Sequence, residues 1–398
     1  MTTFALRRAT AKDLTAVAEA DGRGFGVHYT ETDLADIGSV VDLDRFLLAV
    51  DPDDDTVLGV TGSFPFDVTL PGGATLAVPG ITWVSVALTH RRHGILRALM
   101  TEQHREFLAD GSVLSALTAS EGSIYGRFGY GPTTAHRAVE ITRRRAVLRP
   151  DLPDPGGLRQ VSTAQVRELA PDVHRRWVAA TPGALSRSER WWDVQLADRE
   201  HRRHGGTALF HLVHPDGYAS FRRVHEDRAC QIVELVAVTA EAHLALWRAL
   251  LAMDLVETVR HHSLPLDDPL PLLLTDPRQV RTTGLADGMW TRVLDHPGAL
   301  AARRYAVELD VVLQVRDGFL DRGGRFRLRG GPDGASCEPT TAPADLHADT
   351  AVLGPLLFGG QRARVLAAAG LLAADEPVLA RVDLAFGTDR TPEHGTEF

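Results

Sequence analysis

The apolar and polar positions along the first part of the chain change period several times, and each change marks an element. Residues 4–8 alternate and predict a short strand. Thr10, with Asp13 three positions on, has the form of a helix N-cap, and Leu14 and Val17 open an apolar stripe behind it. Residues 45–50 and 56–66 read as strands joined by the turn Asp51-Pro52-Asp53-Asp54-Asp55. Residues 69–78 read as a further strand segment broken at Pro71-Gly72-Gly73. Two later stretches share one grammar. In the first, Ile81-Thr82-Trp83-Val84-Ser85-Val86 leads through a short turn into a helix carrying Leu96, Leu99 and Met100. In the second, Ile232-Val233-Glu234-Leu235-Val236-Ala237-Val238-Thr239 leads into a helix carrying Leu244, Trp247, Leu250 and Leu251. The recurrence predicts two related α/β units in tandem.

The chain has 398 residues, too many for one ordinary core and suited to two or three domains. Residues 149–157, rich in Pro, Gly and Asp, read as the end of a first domain, 1–150. The pattern changes again after 283–290, which closes a second domain, 151–290. Beyond it, a helix at 297–304, alternating strands at 305–315 and 324–329, and a helix-rich stretch at 360–374 predict a third domain of α+β type, 291–398.

Charge and composition narrow the function. The formal net charge is −9, which argues against non-specific nucleic-acid binding and agrees with a cationic substrate. Lys12 is the only lysine, a bias that a GC-rich genome explains. Cys230 and Cys337 lie far apart with neither metal-ligand nor redox spacing, as in a reducing compartment. The N-terminal run from Met1 to Arg8 has no signal-peptide pattern, and no stretch approaches the roughly 18 apolar residues of a membrane span. A soluble, cytoplasmic protein is expected, with no membrane partner. His261-His262 and His201-Arg202-Arg203-His204 lack zinc-ligand geometry, and the aspartates at 51, 53 and 55 lack the glycine and glutamate of a calcium loop, so no metal is expected.

One loop carries anion-binding chemistry. After the strand ending at Val86 come Arg91, Arg92 and Gly94, and a helix begins at Ile95. A helix N-terminus offers unpaired N–H groups and a positive dipole end, glycine permits close backbone approach, and arginines add charge-assisted bonds. These features suit a pyrophosphate such as that of coenzyme A. The second unit has Ala240-Glu241-Ala242-His243-Leu244 at the corresponding place, acidic and without glycine, so only the first should bind a cofactor.

Further on stands Ala119-Ser120-Glu121-Gly122-Ser123-Ile124-Tyr125-Gly126-Arg127-Phe128-Gly129-Tyr130-Gly131. Together with Trp83-Val84-Ser85-Val86 and Thr89-His90-Arg91-Arg92-His93-Gly94-Ile95-Leu96-Arg97-Ala98, this run closely resembles the Eis (enhanced intracellular survival) family, acetyltransferases of the GNAT superfamily found in actinobacteria. The resemblance covers essentially the whole chain, with further matches at Trp191-Trp192-Asp193, residues 234–247, Asp268-Pro269-Leu270-Pro271, Asp287-Gly288-Met289-Trp290 and Ala301-Ala302-Arg303. It implies an N-terminal GNAT domain that binds acetyl-CoA, a degenerate central GNAT-like domain and a C-terminal domain resembling sterol carrier proteins. It also implies a homo-hexamer and transfer of acetyl groups to amines of aminoglycosides, with lysine modification in some members.

The resemblance assigns roles by position. Val84 and Val86 look like the strand that pairs with the pantetheine arm. Arg91, Arg92, Gly94 and Ile95 look like the pyrophosphate loop, and Ser120 and Glu121 fall in the cofactor-side turn. Tyr125 matches the family's general acid, and Phe398 the C-terminal residue whose α-carboxylate acts as base. A free α-carboxyl, with a pKa of about 3.5, is a feeble base unless its surroundings raise that value. Asp21, Asp287 and Glu397 are candidates to hold a cationic substrate. Thr118 stands where some members carry a pocket-lining histidine, and residues 21–30 look rearranged, so the substrate range is expected to differ. Two other readings compete: a protein lysine or N-terminal acetyltransferase, and a hydrophobic-ligand binding protein with a vestigial enzyme domain.

Overall fold

The computed structural model describes residues 3–398; Met1 and Thr2, where the reading of the N-terminus begins, lie outside the described residues. The chain forms two compact units. The first runs up to Thr133 and adds Met289–Thr388 and Thr396–Phe398, and the second holds Thr134–Gly288 and Asp389–Gly395.

The first unit contains a seven-stranded sheet in the order Ala5–Arg8, Leu47–Val50, Val57–Thr69, Thr75–Val86, Leu114–Thr118, Met289–Val293, Gly131–Pro132. Its one parallel pair, Thr75–Val86 with Leu114–Thr118, is joined by the helix Ile95–Ala109, as a parallel pair requires a crossover. Both faces are covered, so the strands read as apolar runs. Leu47, Ala49 and Leu58 pack with Ile95 and Leu99 of that helix. Leu48, Val50 and Val60 pack with Val17 and Ala20 of the helix Leu14–Phe25 on the other face.

The sequence divides one strand in two. Residues 69–78 and 81–86 belong to a hairpin turn followed by the single strand Thr75–Val86. Pro71-Gly72-Gly73 is that turn, closed by Leu70 N–H donating to Ala74 O at 2.7 Å.

The same unit contains a five-stranded sheet in the order Gly334–Pro339, Gly324–Gly331, Leu309–Arg316, Leu346–Asp349, Leu372–Ala374. The stretch expected to be helix-rich holds only Ala363–Ala368 before turning into the strand Leu372–Ala374. The longer helices flank it at Thr350–Leu357 and Glu376–Ala385. Thr350–Leu357 is buried almost all round, so it shows no one-sided stripe from which to read a helix.

The second unit repeats the first sheet's plan. Its order is Arg159–Val161, Phe210–His214, Gly217–Val224, Ala229–Ala237, Thr258–Pro265, Ala135–Thr142, Val280–Asp287. Again the fourth and fifth strands form the parallel pair, bridged by the helix Ala240–Ala252, whose N-cap is Thr239. The tandem predicted from two similar runs is thus a repeat of topology. One feature has no signal in the pattern: Ala135–Thr142, which follows the first sheet in the chain, belongs to the second, and Met289–Val293, which follows the second, belongs to the first. The segment 149–157 lies within the second unit.

Among the described residues no helix is long and apolar enough to cross a membrane. Among them, too, no group of three His, Cys, Asp or Glu is placed to hold a metal ion.

Candidate active site

The strand Thr75–Val86 carries a bulge where the parallel pair opens. Opposite it Val60 pairs with Ser85 and Gly62 with Thr82, leaving Thr61 to face both Trp83 and Val84. Trp83 takes a φ of +54°, which is costly for a bulky residue. Its indole stacks on Tyr29 at 6.0 Å and meets the Phe46 ring edge-on at 5.7 Å, contacts that hold it there. On the other side the strand pairs with Leu114–Thr118 only at Gly80↔Ala116 and Ile81↔Leu117. Beyond these the two strands part, and the backbone of Val84 and Val86 borders the gap.

At the end of that strand Gly94 stands at the N-cap of Ile95–Ala109 with a φ of +87°. A side chain there would meet nothing within 4 Å, so glycine serves its left-handed backbone rather than space. Arg91, Arg92 and Gly94 are exposed while Ile95 is buried as the first anchor of the helix. A cavity of about 450 Å³ beside them is lined by Ala20, Arg23, Gly24, Val86, Ala87 and Arg91 among others.

Ser120 and Glu121 are exposed in the connection from Leu114–Thr118 to the helical turn Gly122–Tyr125. Tyr125, at the end of that turn, is 5% exposed and shares a core with Ile81, Met100, Leu117 and Tyr130. Burial, and next the charge of Glu121, push its phenol up to about 12, so it keeps its proton at neutral pH. Tyr130 behind it is tied to Ser115 at 2.6 Å and His104 at 2.8 Å. Arg292 bonds the carbonyl of Phe128 at 2.6 Å and completes the support of the loop.

Phe398 lies in the same unit, at the last paired residues of the parallel strands. Thr118 Oγ1 donates to its terminal carboxyl oxygen at 2.9 Å, and its ring meets Phe66 at 4.9 Å. Gly80 leaves room for that ring: a Cβ on it would lie 2.7 Å from Phe398 Cε2. Tyr125 and Phe398 therefore both adjoin the pair Gly80-Ile81 and Ala116-Leu117.

The acidic candidates differ in setting. Asp21 is buried, accepts from Tyr29 Oη at 2.5 Å, and has its pKa raised by burial against that bond. Glu397 is exposed beside Phe398, and Asp287 is exposed at the end of a strand in the second unit. Sequence reasoning noticed Thr118 as a departure but not as a partner of Phe398, and it missed Arg292. A charged residue inside the apolar run 289–294 was the available signal for Arg292.

In the second unit Glu234 pairs with Ser220 as Ser85 pairs with Val60. There it is bound at 2.7 Å to Arg187, whose side chain is 2% exposed. An internal ion pair thus stands where the first unit carries an uncharged serine.

Models of an acetyltransferase (GNAT) domain match residues 5–133 and 183–293, and a sterol carrier protein domain model matches residues 296–393. Over 355 residues, 86% of each chain, this protein is 42% identical to the N-acetyltransferase Eis of Mycobacterium tuberculosis. The chain belongs to the Eis family of N-acetyltransferases. An uncharacterized N-acetyltransferase of Streptomyces coelicolor is 37% identical over 356 residues, again 86% of each chain. The crystal structure of Eis1 from Mycobacterium abscessus aligns with a TM-score of 0.88 at 29% identity, over 99% of this chain and 100% of that one. As in the Eis reading of the sequence, the fold comprises two GNAT domains and a sterol-carrier-type domain.

Proposed function

We propose that this N-acetyltransferase moves the acetyl group of acetyl-CoA directly to amines of aminoglycosides or similar polycations. The observation that carries the proposal is the terminal carboxyl of Phe398, held by Thr118 where the parallel strands part. The residues present suit the donor: an open strand edge at Val84 and Val86, a left-handed Gly94 at a helix start, and exposed Arg91 and Arg92. Ser120 and Glu121 flank the cofactor from the connection before Tyr125.

An amine attacks only when neutral, and most alkyl amines are protonated at pH 7. The Phe398 carboxylate attracts the ammonium form and accepts its proton, directly or through water. The new C–N bond forms as the C–S bond breaks, and Tyr125 gives its phenolic proton to the departing sulfur. A backbone N–H near Val86 stabilises the charge that develops on the carbonyl oxygen. Glu397, exposed beside Phe398, adds negative charge for the acceptor. Asp21, buried against Tyr29, acts by fixing that tyrosine.

The domain roles are proposed on the division read from the sequence, 1–150 for the cofactor, 151–290 as a degenerate copy and 291–398 supplying the carboxylate, with the strands Ala135–Thr142 and Met289–Val293 exchanged between the first two sheets. From the family we also take a cytoplasmic homo-hexamer. A cleft of about 740 Å³ beside the sterol-carrier-type sheet mixes charged Arg316, Asp321 and Asp349 with apolar Val315, Leu371 and Leu372.

The test is release of free CoA thiol from acetyl-CoA with an aminoglycoside panel and, separately, a lysine-bearing peptide. Turnover with aminoglycosides that falls by about 10²–10⁴ in both Tyr125→Phe and a chain lacking Phe398 is expected. Turnover with peptide alone moves the substrate to protein amines, and turnover unaffected by either change removes the catalytic assignment.

A further inference from the structure

We infer that Thr118 is a positioning residue: its hydroxyl fixes the plane of the Phe398 carboxylate and leaves the second oxygen aimed for the acceptor amine. The inference rests on the reading of Phe398 as base. The last residue of a chain rotates freely about its Cα–C bond unless something holds the carboxyl group. Here the aromatic ring is fixed by Phe66 and by the space above Gly80, which settles the side chain and not the carboxylate. The contact that orients the carboxylate is Thr118 Oγ1, donating at 2.9 Å.

Thr118 is well placed to impose an orientation. It ends the strand Leu114–Thr118, and its backbone is in register with Met289 on the neighbouring strand. A β-branched side chain in a strand is also stiff about χ1. A carboxylate has two oxygens and about four acceptor sites, so one donor leaves the other oxygen available for a proton. A threonine hydroxyl also adds no charge of its own. It supports the carboxylate without competing with the ammonium for it, as a cationic donor would.

Three variants test this: Thr118→Val, which keeps shape and removes the donor, Thr118→Ser, which keeps the donor, and a chain lacking Phe398. Each is assayed as full-length enzyme with acetyl-CoA and the acceptor that wild type uses, and Thr118→Val is repeated in the chain lacking Phe398. Thr118→Val is expected to lower kcat about ten- to a hundredfold, the scale of one hydrogen bond to a charged group, with the KM for acetyl-CoA unchanged. Thr118→Ser is expected to restore most of it. In the chain lacking Phe398, Thr118→Val is expected to cost nothing further. Full activity in Thr118→Val, or an equal loss with and without Phe398, overturns the inference while leaving Phe398 as base. Full activity without Phe398 overturns the base assignment itself. Melting temperatures check folding, and a Thr118→Val that unfolds leaves the comparison to Thr118→Ala.

Discussion

Arg292 and Asp317 meet at 2.6 Å with each side chain only 1% exposed. The same guanidinium bonds the carbonyl of Phe128, so one buried ion pair ties the sterol-carrier-type part of the first unit to the loop that carries Tyr125. Burial raises the pKa of Asp317, but Arg292 and the N–H groups of Phe319 and Leu320 outweigh it and hold the carboxyl below its usual value.

Breaking that pair strands a buried charge. Asp317→Ala is expected to cost about 3–5 kcal/mol by urea unfolding, and a joint Arg292→Met, Asp317→Leu replacement less. Because the folded pKa is depressed, the stabilisation is present above the ordinary aspartate value and is lost as pH falls through the folded one. The slope of melting temperature against pH below about 4 is expected to lessen in Asp317→Asn.

Gly80 tests the seat of Phe398 from the opposite side. A Cβ there would lie 2.7 Å from the Phe398 ring and 2.8 Å from that of Phe66. Gly80→Ala is expected to dislodge the terminal residue and lower kcat by about tenfold or more, with acetyl-CoA binding retained. Appending a single residue after Phe398 moves the carboxylate away and is expected to act in the same direction. Calorimetric binding of acetyl-CoA beside steady-state rates measures both parts.

Arg91 and Arg92 are exposed, so their effect is expected on affinity rather than stability. Arg91→Ala with Arg92→Ala is expected to weaken acetyl-CoA about ten- to a hundredfold and to reduce the salt dependence of binding. The melting temperature of the free protein is expected to stay within about 2–4 °C of wild type.

Glu393 lies in the second unit. Loss of solvation, then Asp267 and Asp268, push its carboxyl from 4.5 up to about 8, against the pull of Arg390. The folded chain therefore binds more protons than the unfolded one between those values, and stability falls as pH rises through that window. The segment at stake is held by Asp267, which accepts from Thr391 N and Oγ1 at 2.7 Å each, and by Leu185 N donating to His394 O at 3.1 Å. Glu393→Gln is expected to flatten the decline of melting temperature between pH 5 and pH 8.

Much of the fold was legible because its signals are local. Thr239 before Ala240–Ala252 is a side-chain cap, Thr10 with Asp13 forms a capping box, and most of the run 232–239 lies in the strand Ala229–Ala237. The strand 75–86 was harder to read because the runs 69–78 and 81–86 stop on either side of Pro79-Gly80. Gly80 is there for a ring that arrives from 318 residues later in the chain. Thr350–Leu357 escaped because burial on all sides erases periodicity.

By itself the sequence determined several elements of the first unit, the two similar α/β runs, the anion-binding loop from Arg91 to Ile95 and the Ser120–Tyr125 motif, since each is encoded by residues within a few positions of one another. Only the tertiary structure decided that Met289–Val293 completes the first sheet while Ala135–Thr142 joins the second, because strand pairing depends on which edges remain open once the rest has folded. Only it decided that Thr118 receives the end of the chain. A hydrogen bond between residues 280 apart leaves no mark on either neighbourhood; it exists because the parting strands leave a seat that Gly80, Phe66 and Thr118 shape together.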